Sequence, residues 1–154
     1  MTIVRAQPSD GPHLSAIAWE AKAHWGYPPA WMEAWREQLT ITPQFIAAHE
    51  TFAAVLDGQA IGFAALGAAD AARCLEHLWI LPEHLGKGVG RALFSHAAEQ
   101  SRASGARCLT IEADPNAEPF YLHLGAVRIG FTQTTAAGEP RQLPLLNFDL
   151  TLPR

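Results

Sequence analysis

Cysteine is scarce in this chain: two residues in 154, Cys74 and Cys108, far apart and in no CxxC or Cys/His spacing. That excludes a disulfide framework and the common zinc-ligand patterns, and two reduced, half-buried thiols are the expectation. The seven histidines are scattered without ligand spacing, so no metal site is expected. Positive charge is also in short supply. Lys and Arg number 11 against 15 Asp and Glu, a formal net charge of -4. This argues against a nucleic-acid partner, which needs a basic face. No apolar run reaches the length of a membrane span, and Met1-Thr2-Ile3-Val4-Arg5 has no signal-peptide core. A cytoplasmic protein with no membrane partner is expected. Repeats, low-complexity tracts and linkers are missing too. Residues 1–154 therefore read as one domain, and a hydrophobic content of 49% is enough to fill its core.

What is present alternates between strand-like and helix-like stretches. Residues 3–6 read as a short strand. Ser9 or Asp10 can cap a helix with Pro12 in its first turn. Leu14, Ile17, Ala18, Ala21 and Trp25 then recur at helical spacing, and Gly26 and Pro28-Pro29 end the run. Trp31, Trp35 and Leu39 mark a second helix, with Pro43 beyond its end. Residues 52–56 and 60–66 flank Asp57-Gly58, a hairpin signal because both residues tolerate positive φ. Residues 74–81 form a strand closed by Pro82. A helix is expected over 88–104, ended by Gly105. A strand over 108–113, a short helix over 117–124 and strands over 127–134 and 145–152 follow. This order describes an α/β domain with a mixed sheet.

Where the strand over 74–81 gives way to a helix, three glycines and two cations occupy six positions: Gly86-Lys87-Gly88-Val89-Gly90-Arg91. A helix N-terminus presents unpaired N–H groups and the positive end of the helix dipole. Glycines ahead of it let phosphate oxygens reach the backbone without meeting a Cβ. Gly86, Gly88 and Gly90 are thus a candidate anion cradle, to which Lys87 and Arg91 add charge. A Walker loop is excluded because Gly88, not Ser or Thr, follows Lys87. A dinucleotide fingerprint is excluded because its third small residue would fall on Arg91 or Leu93, and too late in the chain for a leading βαβ unit. A glycine-rich turn with no ligand is the plain alternative.

The segment Trp79-Ile80-Leu81-Pro82-Glu83-His84-Leu85-Gly86-Lys87-Gly88-Val89-Gly90-Arg91-Ala92-Leu93 resembles the acyl-CoA signature of the GNAT superfamily of N-acyltransferases. That signature is a strand, a V/L-x-P-E turn, and Q/R-x-x-G-x-G/A opening a long helix. The stretch from Asp114-Pro115-Asn116-Ala117 through Phe120-Tyr121 to Gly125-Ala126 resembles the family's Asn-x-x-Ala-x-x-x-Tyr-x-x-x-Gly-Phe type segment. Element order matches across nearly the whole chain. Two departures stand out: Leu85 occupies the Gln/Arg position, and the motif Asn falls on Asp114, with Asn116 two residues on. The resemblance implies a central, mostly antiparallel six- to seven-stranded sheet flanked by about four helices, with strands splayed around acyl-CoA. It implies acetyl-CoA, or another acyl-CoA, as co-substrate and an amine as acceptor, joined by direct attack in a ternary complex. The pyrophosphate would sit on the N–H groups of Gly86, Gly88, Val89, Gly90 and Arg91. The pantetheine arm would run beside Leu78, Trp79 and Ile80, with Asp114 or Asn116 bonded to it. A homodimer is compatible with the fold.

An attacking amine must be neutral, so a base or a water chain has to take its proton. Glu76 is the preferred base: alternation sets it with Leu78 and Ile80 in an apolar strand, where burial would raise its pKa. His77 competes because an imidazole titrates in the useful range, and Glu112 and water stay open. His84 reads as solvated. A backbone N–H near Ile80 would meet the oxyanion. Tyr121 aligns with the family tyrosine that protonates or hydrogen-bonds the leaving sulfur, the alternative being a core tyrosine with a locally bonded hydroxyl.

By the same resemblance the first two helices and the hairpin form the acceptor side. Trp19, Trp25, Tyr27, Trp31 and Trp35 cluster there. Core packing explains most of them, and some would suit a hydrophobic or aromatic amine. Glu20, Glu33, Glu37 and Glu50 would suit an aminoglycoside. Arg141 reads as a solvated loop residue. Two rival classes are a non-catalytic acyl-CoA sensor on the same fold and an interaction module with an empty glycine loop.

Overall fold

The chain opens on β1 (Thr2–Arg5) and passes through α1 (Gly11–Ala23), α2 (Pro29–Ala34) and α3 (Pro43–Ala48). It then forms β2 (Glu50–Leu56), β3 (Gln59–Leu66), β4 (Ala72–Ile80), α4 (Val89–Ala103), β5 (Cys108–Glu112), α5 (Glu118–His123), β6 (Val127–Ala136) and β7 (Glu139–Asp149). The computed structural model describes residues 1–152. The strands make one sheet in the order β1-β2-β3-β4-β5-β7-β6. All neighbours are antiparallel except β4 and β5, which run parallel. Helices cover both faces. Leu93, Phe94 and Ala97 of α4 pack with Ala64, Leu109 and Leu146. Leu14 and Ile17 of α1, Met32 of α2 and Ile46 of α3 pack with Phe63 in a second core. Ala64 and Phe63 are consecutive, so strand alternation sends them to opposite faces. Among the described residues no helix is long and apolar enough to cross a membrane. Both thiols are free, and Cys74 is exposed rather than half-buried.

The expected hairpin is present: Asp57 and Gly58 take φ of 52° and 77°. Two expectations need correction. The second helix stops at Ala34, although Trp35 and Leu39 stay buried and the Leu39 N–H still bonds the Trp35 carbonyl at 2.9 Å. A further helix, α3, begins at Pro43. Thr42 caps it by accepting from the Phe45 N–H at 3.0 Å, so this proline starts a helix rather than following one. Second, β7 begins at Glu139, not at 145, and pairs with β6 from Ala136↔Glu139 onward. The Ala137-Gly138 turn makes this possible with φ of 49° and 81°. Arg141 is therefore a strand residue.

Two irregularities in β4 open the sheet. Its pairing with β3 jumps from Ala65↔His77 to Leu66↔Leu75, leaving Glu76 as the extra residue of a bulge. The bulge brings Leu75 into the same core as Ile80 and Leu78 and leaves Glu76 exposed. On the other edge, pairing with β5 covers Ala72, Arg73 and Cys74 alone. Beyond Cys74 the two parallel strands separate. Arg73 holds the closed end: it is buried, donates to the Gly67 carbonyl at 3.0 Å and pairs with Glu50 at 2.7 Å.

Candidate active site

The separation of β4 from β5 leaves a cavity of about 320 Å³, walled by Leu78, Ile80, Gly86, Gly88, Phe120 and Tyr121 among others. A second cavity of about 330 Å³ lies on its far side, with Lys22, Trp35 and Arg141 in its wall. Leu75, Glu76, His77, Trp79 and Glu112 line both, so the two meet at the split.

The glycine loop closes one end of the first cavity. Gly86 and Gly88 take φ of 75° and 83°, a region that side-chain-bearing residues rarely occupy. A Cβ on either would meet nothing within 4 Å, so the space above this backbone is open. Gly88 caps α4, whose first internal bond runs from the Ala92 N–H to the Gly88 carbonyl. The N–H groups of Val89, Gly90 and Arg91 precede it and have no helical acceptor. Lys87 and Arg91 are exposed beside them. The cradle thus fits a diphosphate. Gly90 has a different reason to be glycine: a Cβ there would lie 3.2 Å from the Phe120 ring. Leu85, at the departure from the signature, is exposed on the same wall.

Along the split, the Leu81 N–H bonds the Ile61 carbonyl. Antiparallel pairs alternate between bonded and non-bonded, so this bond sets the phase of the register. His77 and Trp79 turn their peptide groups to β3, while Leu78 and Ile80 turn theirs to the split. Two of the three residues expected to meet a pantetheine arm are thus free to do so, and the Trp79 peptide is committed to the sheet. Tyr121 is buried at 6% exposure. Among the described residues its hydroxyl has no hydrogen-bond partner, yet it is not among the sealed, unpaired side-chain atoms, so it opens to the cavity. Burial, and then the Asp114 charge, push its phenol above the ordinary range. It stays a proton donor.

The three candidate bases differ sharply. His77 is held neutral, its pKa pulled down to about 4 by burial and then by His49. Its Nδ1 accepts from the Trp79 indole at 2.9 Å, which leaves an N–H, not a lone pair, on Nε2. Glu76 and Glu112 are exposed where the cavities join. The burial expected for Glu76 is absent because the bulge turns it out of the strand.

Asp114 and Asn116 form a cluster that sequence spacing did not reveal. The Asp114 carboxylate accepts from Lys22 at 2.7 Å, from the Tyr27 hydroxyl at 2.8 Å and from the Asn116 N–H at 2.8 Å. The Asn116 amide donates to Tyr27 and back to Asp114. Arg141 donates to the Tyr27 hydroxyl at 2.6 Å and stands 3.6 Å from Asp114. Lys22 and Arg141 lie 4.3 and 4.9 Å from the Trp35 ring, within cation–π range. Burial draws the Lys22 ammonium below its usual value, and Asp114 opposes the shift. Burial likewise works against the charged Asp114, but Lys22 and the hydrogen bonds from Asn116 and Tyr27 together outweigh it, and the carboxyl lies below its ordinary range. Arg141, expected in a solvated loop, is 10% exposed. Lys22 offered one signal: four residues after Ala18, it falls on the buried stripe of α1.

Residues 13–126 match the family described as acetyltransferase (GNAT) family. The chain belongs to this family. It is similar to streptothricin acetyltransferase of Streptomyces lavendulae, 43% identical over 65 residues, which is 40% of this chain and 34% of that protein. It thus spans about a third of that curated relative. A GCN5-related N-acetyltransferase from Rhodopseudomonas palustris superposes with a TM-score of 0.82 at 24% identity, covering 96% of this chain and 94% of the other. The PaiA N-acetyltransferase of Thermoplasma acidophilum, solved with coenzyme A, superposes at 0.74 with 20% identity, covering 97% and 99%. At these identities the two structures establish the fold.

Proposed function

We propose that this GNAT member, one domain over residues 1–154, transfers an acetyl group from acetyl-CoA to a primary amine. The observation that carries the reading is a cavity running from the Gly86–Gly88 loop to the unpartnered Tyr121 hydroxyl at the β4–β5 split, with a second cavity that shares five of its wall residues. Coenzyme A bound to a structural neighbour supports the choice of cofactor. When bound, acetyl-CoA supplies the activated acyl carbon.

The N–H groups of residues 86–91, with Lys87 and Arg91, hold the diphosphate. Leu78 and Ile80 offer their peptide groups to the pantetheine arm, and one of their N–H groups donates to the oxygen that gains charge. Glu76 or Glu112, directly or through water, takes the proton of the amine. Tyr121 gives a proton or a hydrogen bond to the sulfur. The relative's printed substrate makes streptothricin one acceptor to test.

Calorimetry with acetyl-CoA, followed by an assay of CoA release over a panel of amines, tests the reading. Binding and turnover are expected. A flat titration overturns it, and binding without turnover of any amine converts it to an acyl-CoA sensor. Glu76→Gln and Glu112→Gln, each followed across pH, identify the base as the variant whose acidic limb disappears.

A further inference from the structure

The second cavity is lined by charge of both signs. Glu76 and Glu112 line it near the split, and among the described residues neither carboxylate has a hydrogen bond or an ion pair. Lys22 and Arg141 also line the cavity, next to Trp35. Behind them, among the described residues, Asp114 alone answers the two cations. A guanidinium has five N–H donors. Among the described residues that of Arg141 makes one hydrogen bond, to Tyr27, and its 3.6 Å approach to Asp114 is too long to be another. The unpaired buried side-chain nitrogen found among the described residues belongs to Arg102, so the free edge of Arg141 opens to the cavity rather than into protein. Tyr27, Trp31 and Trp35 stack around that guanidinium and hold the fork in one orientation. Leu143 and Leu145 complete the wall with apolar surface.

We infer that the acceptor is a zwitterion: an α-amino acid with an apolar side chain, its carboxylate on Arg141 and Lys22 and its amine at Glu76 and Glu112. This rests on the acetyltransferase reading and names its substrate class. An arginine fork matches a carboxylate in two parallel bonds, and the two free carboxylates draw an ammonium to the split. A polycationic acceptor would meet Arg141 and Lys22 head on.

In the reaction the ammonium gives a proton to Glu76, Glu112 or water. The nitrogen lone pair bonds to the acetyl carbonyl carbon, the carbonyl π pair moves onto oxygen, and the nitrogen gives up a second proton through water, which restores the proton that Tyr121 passes to sulfur. The C–S bond breaks with its electron pair on sulfur, and sulfur takes a proton from Tyr121 or water. The products are an N-acetyl amino acid and free CoA thiol.

The experiment uses the full chain with leucine, methionine and phenylalanine, the carboxamide of each, and streptothricin. Acetyl-CoA binding is measured first by calorimetry, CoA release second, and binding of each acceptor to the CoA-loaded protein third. Each acid is expected to exceed its carboxamide in kcat/KM by roughly 10- to 100-fold, the worth of a hydrogen bond to a charged group. Arg141→Gln is expected to erase that preference through KM, and Arg141→Lys to restore part of it. If Arg141→Gln fails to fold, the acid-to-amide ratio of the unmodified protein decides. Carboxamides used as well as acids overturn the inference, as does turnover of streptothricin alone. Amino acids that neither bind nor react while acetyl-CoA binds also overturn it, and leave the transferase reading standing. Failure to bind acetyl-CoA removes both.

Discussion

The two cavities that meet at Glu76 are almost equal in size, about 320 and 330 Å³, and are made of different material. The glycine-loop end of the first is main chain from one contiguous stretch, residues 86–91. The charged end of the second is side chains from α1, the loop after it, the loop after β5, and β7, joined by bonds that span 87 to 114 residues of sequence. A main-chain site depends on backbone conformation and tolerates most changes that keep it. A side-chain site depends on each partner's charge, and removing one leaves the others uncompensated.

The largest effect should therefore come from Asp114→Asn in the second cavity. It leaves Lys22 and Arg141, both about 10% exposed, without their shared anion. Breaking a buried pair in this way costs about 3–5 kcal/mol, read from the urea midpoint at constant slope. A loss under about 1 kcal/mol would place the cluster with ordinary surface pairs and erase the contrast between the halves.

Gly88→Glu attacks the other cavity through its backbone. A side chain at φ 83° is strained, and a carboxylate replaces the open space a phosphate would fill. Acetyl-CoA affinity should fall about a hundredfold or more, roughly 3 kcal/mol, while the urea midpoint falls by the smaller cost of the strained backbone, about 1–2 kcal/mol. Unchanged affinity would show that the cradle holds nothing.

Tyr121→Phe probes the join and should be milder. Loss of a positioned proton donor lowers kcat by about a hundredfold, with KM for acetyl-CoA nearly constant. Full activity would return Tyr121 to the core, where its ring already packs against Phe94 and Phe120.

The same difference in material decides what could be read from the sequence. The cradle was legible because adjacent residues carry the whole signal: glycines at the strand–helix junction, two cations, and a helix whose periodicity is plain. Tyr121 was singled out by the resemblance of residues 114–126, and it lies in the wall of the first cavity. The mostly antiparallel sheet followed from the resemblance, and the hairpin from Asp57-Gly58. The Lys22–Asp114–Arg141 cluster was not legible, because nothing local to Arg141 says that β7 starts early and packs it against Trp35. That depends on Ala137 adopting positive φ, which alanine does not advertise. Pro43 misled because proline both starts and follows helices, and only the Thr42 cap distinguishes the cases. Glu76 misled because strict alternation assumes no bulge.

His77 offers the finest test, since it lines both cavities. Its unfolded pKa is near 6.5, and burial lowers the folded value to about 4. Between those two pH values the unfolded chain binds a proton that the folded chain refuses. The stability that His77 contributes is therefore fully present above pH 6.5 and is lost as pH falls toward 4. One proton sets the steepest slope at about 1.4 kcal/mol per pH unit. In His77→Gln the amide oxygen can still accept from the Trp79 indole, but nothing titrates. Urea midpoints at pH 7, 6 and 5 should fall less steeply for His77→Gln than for the unmodified chain, with the two curves parallel above pH 7. Curves that superimpose would mean that His77 charges freely in the folded state. It would then have a usable lone pair and displace Glu76 and Glu112 as the proposed base at the split.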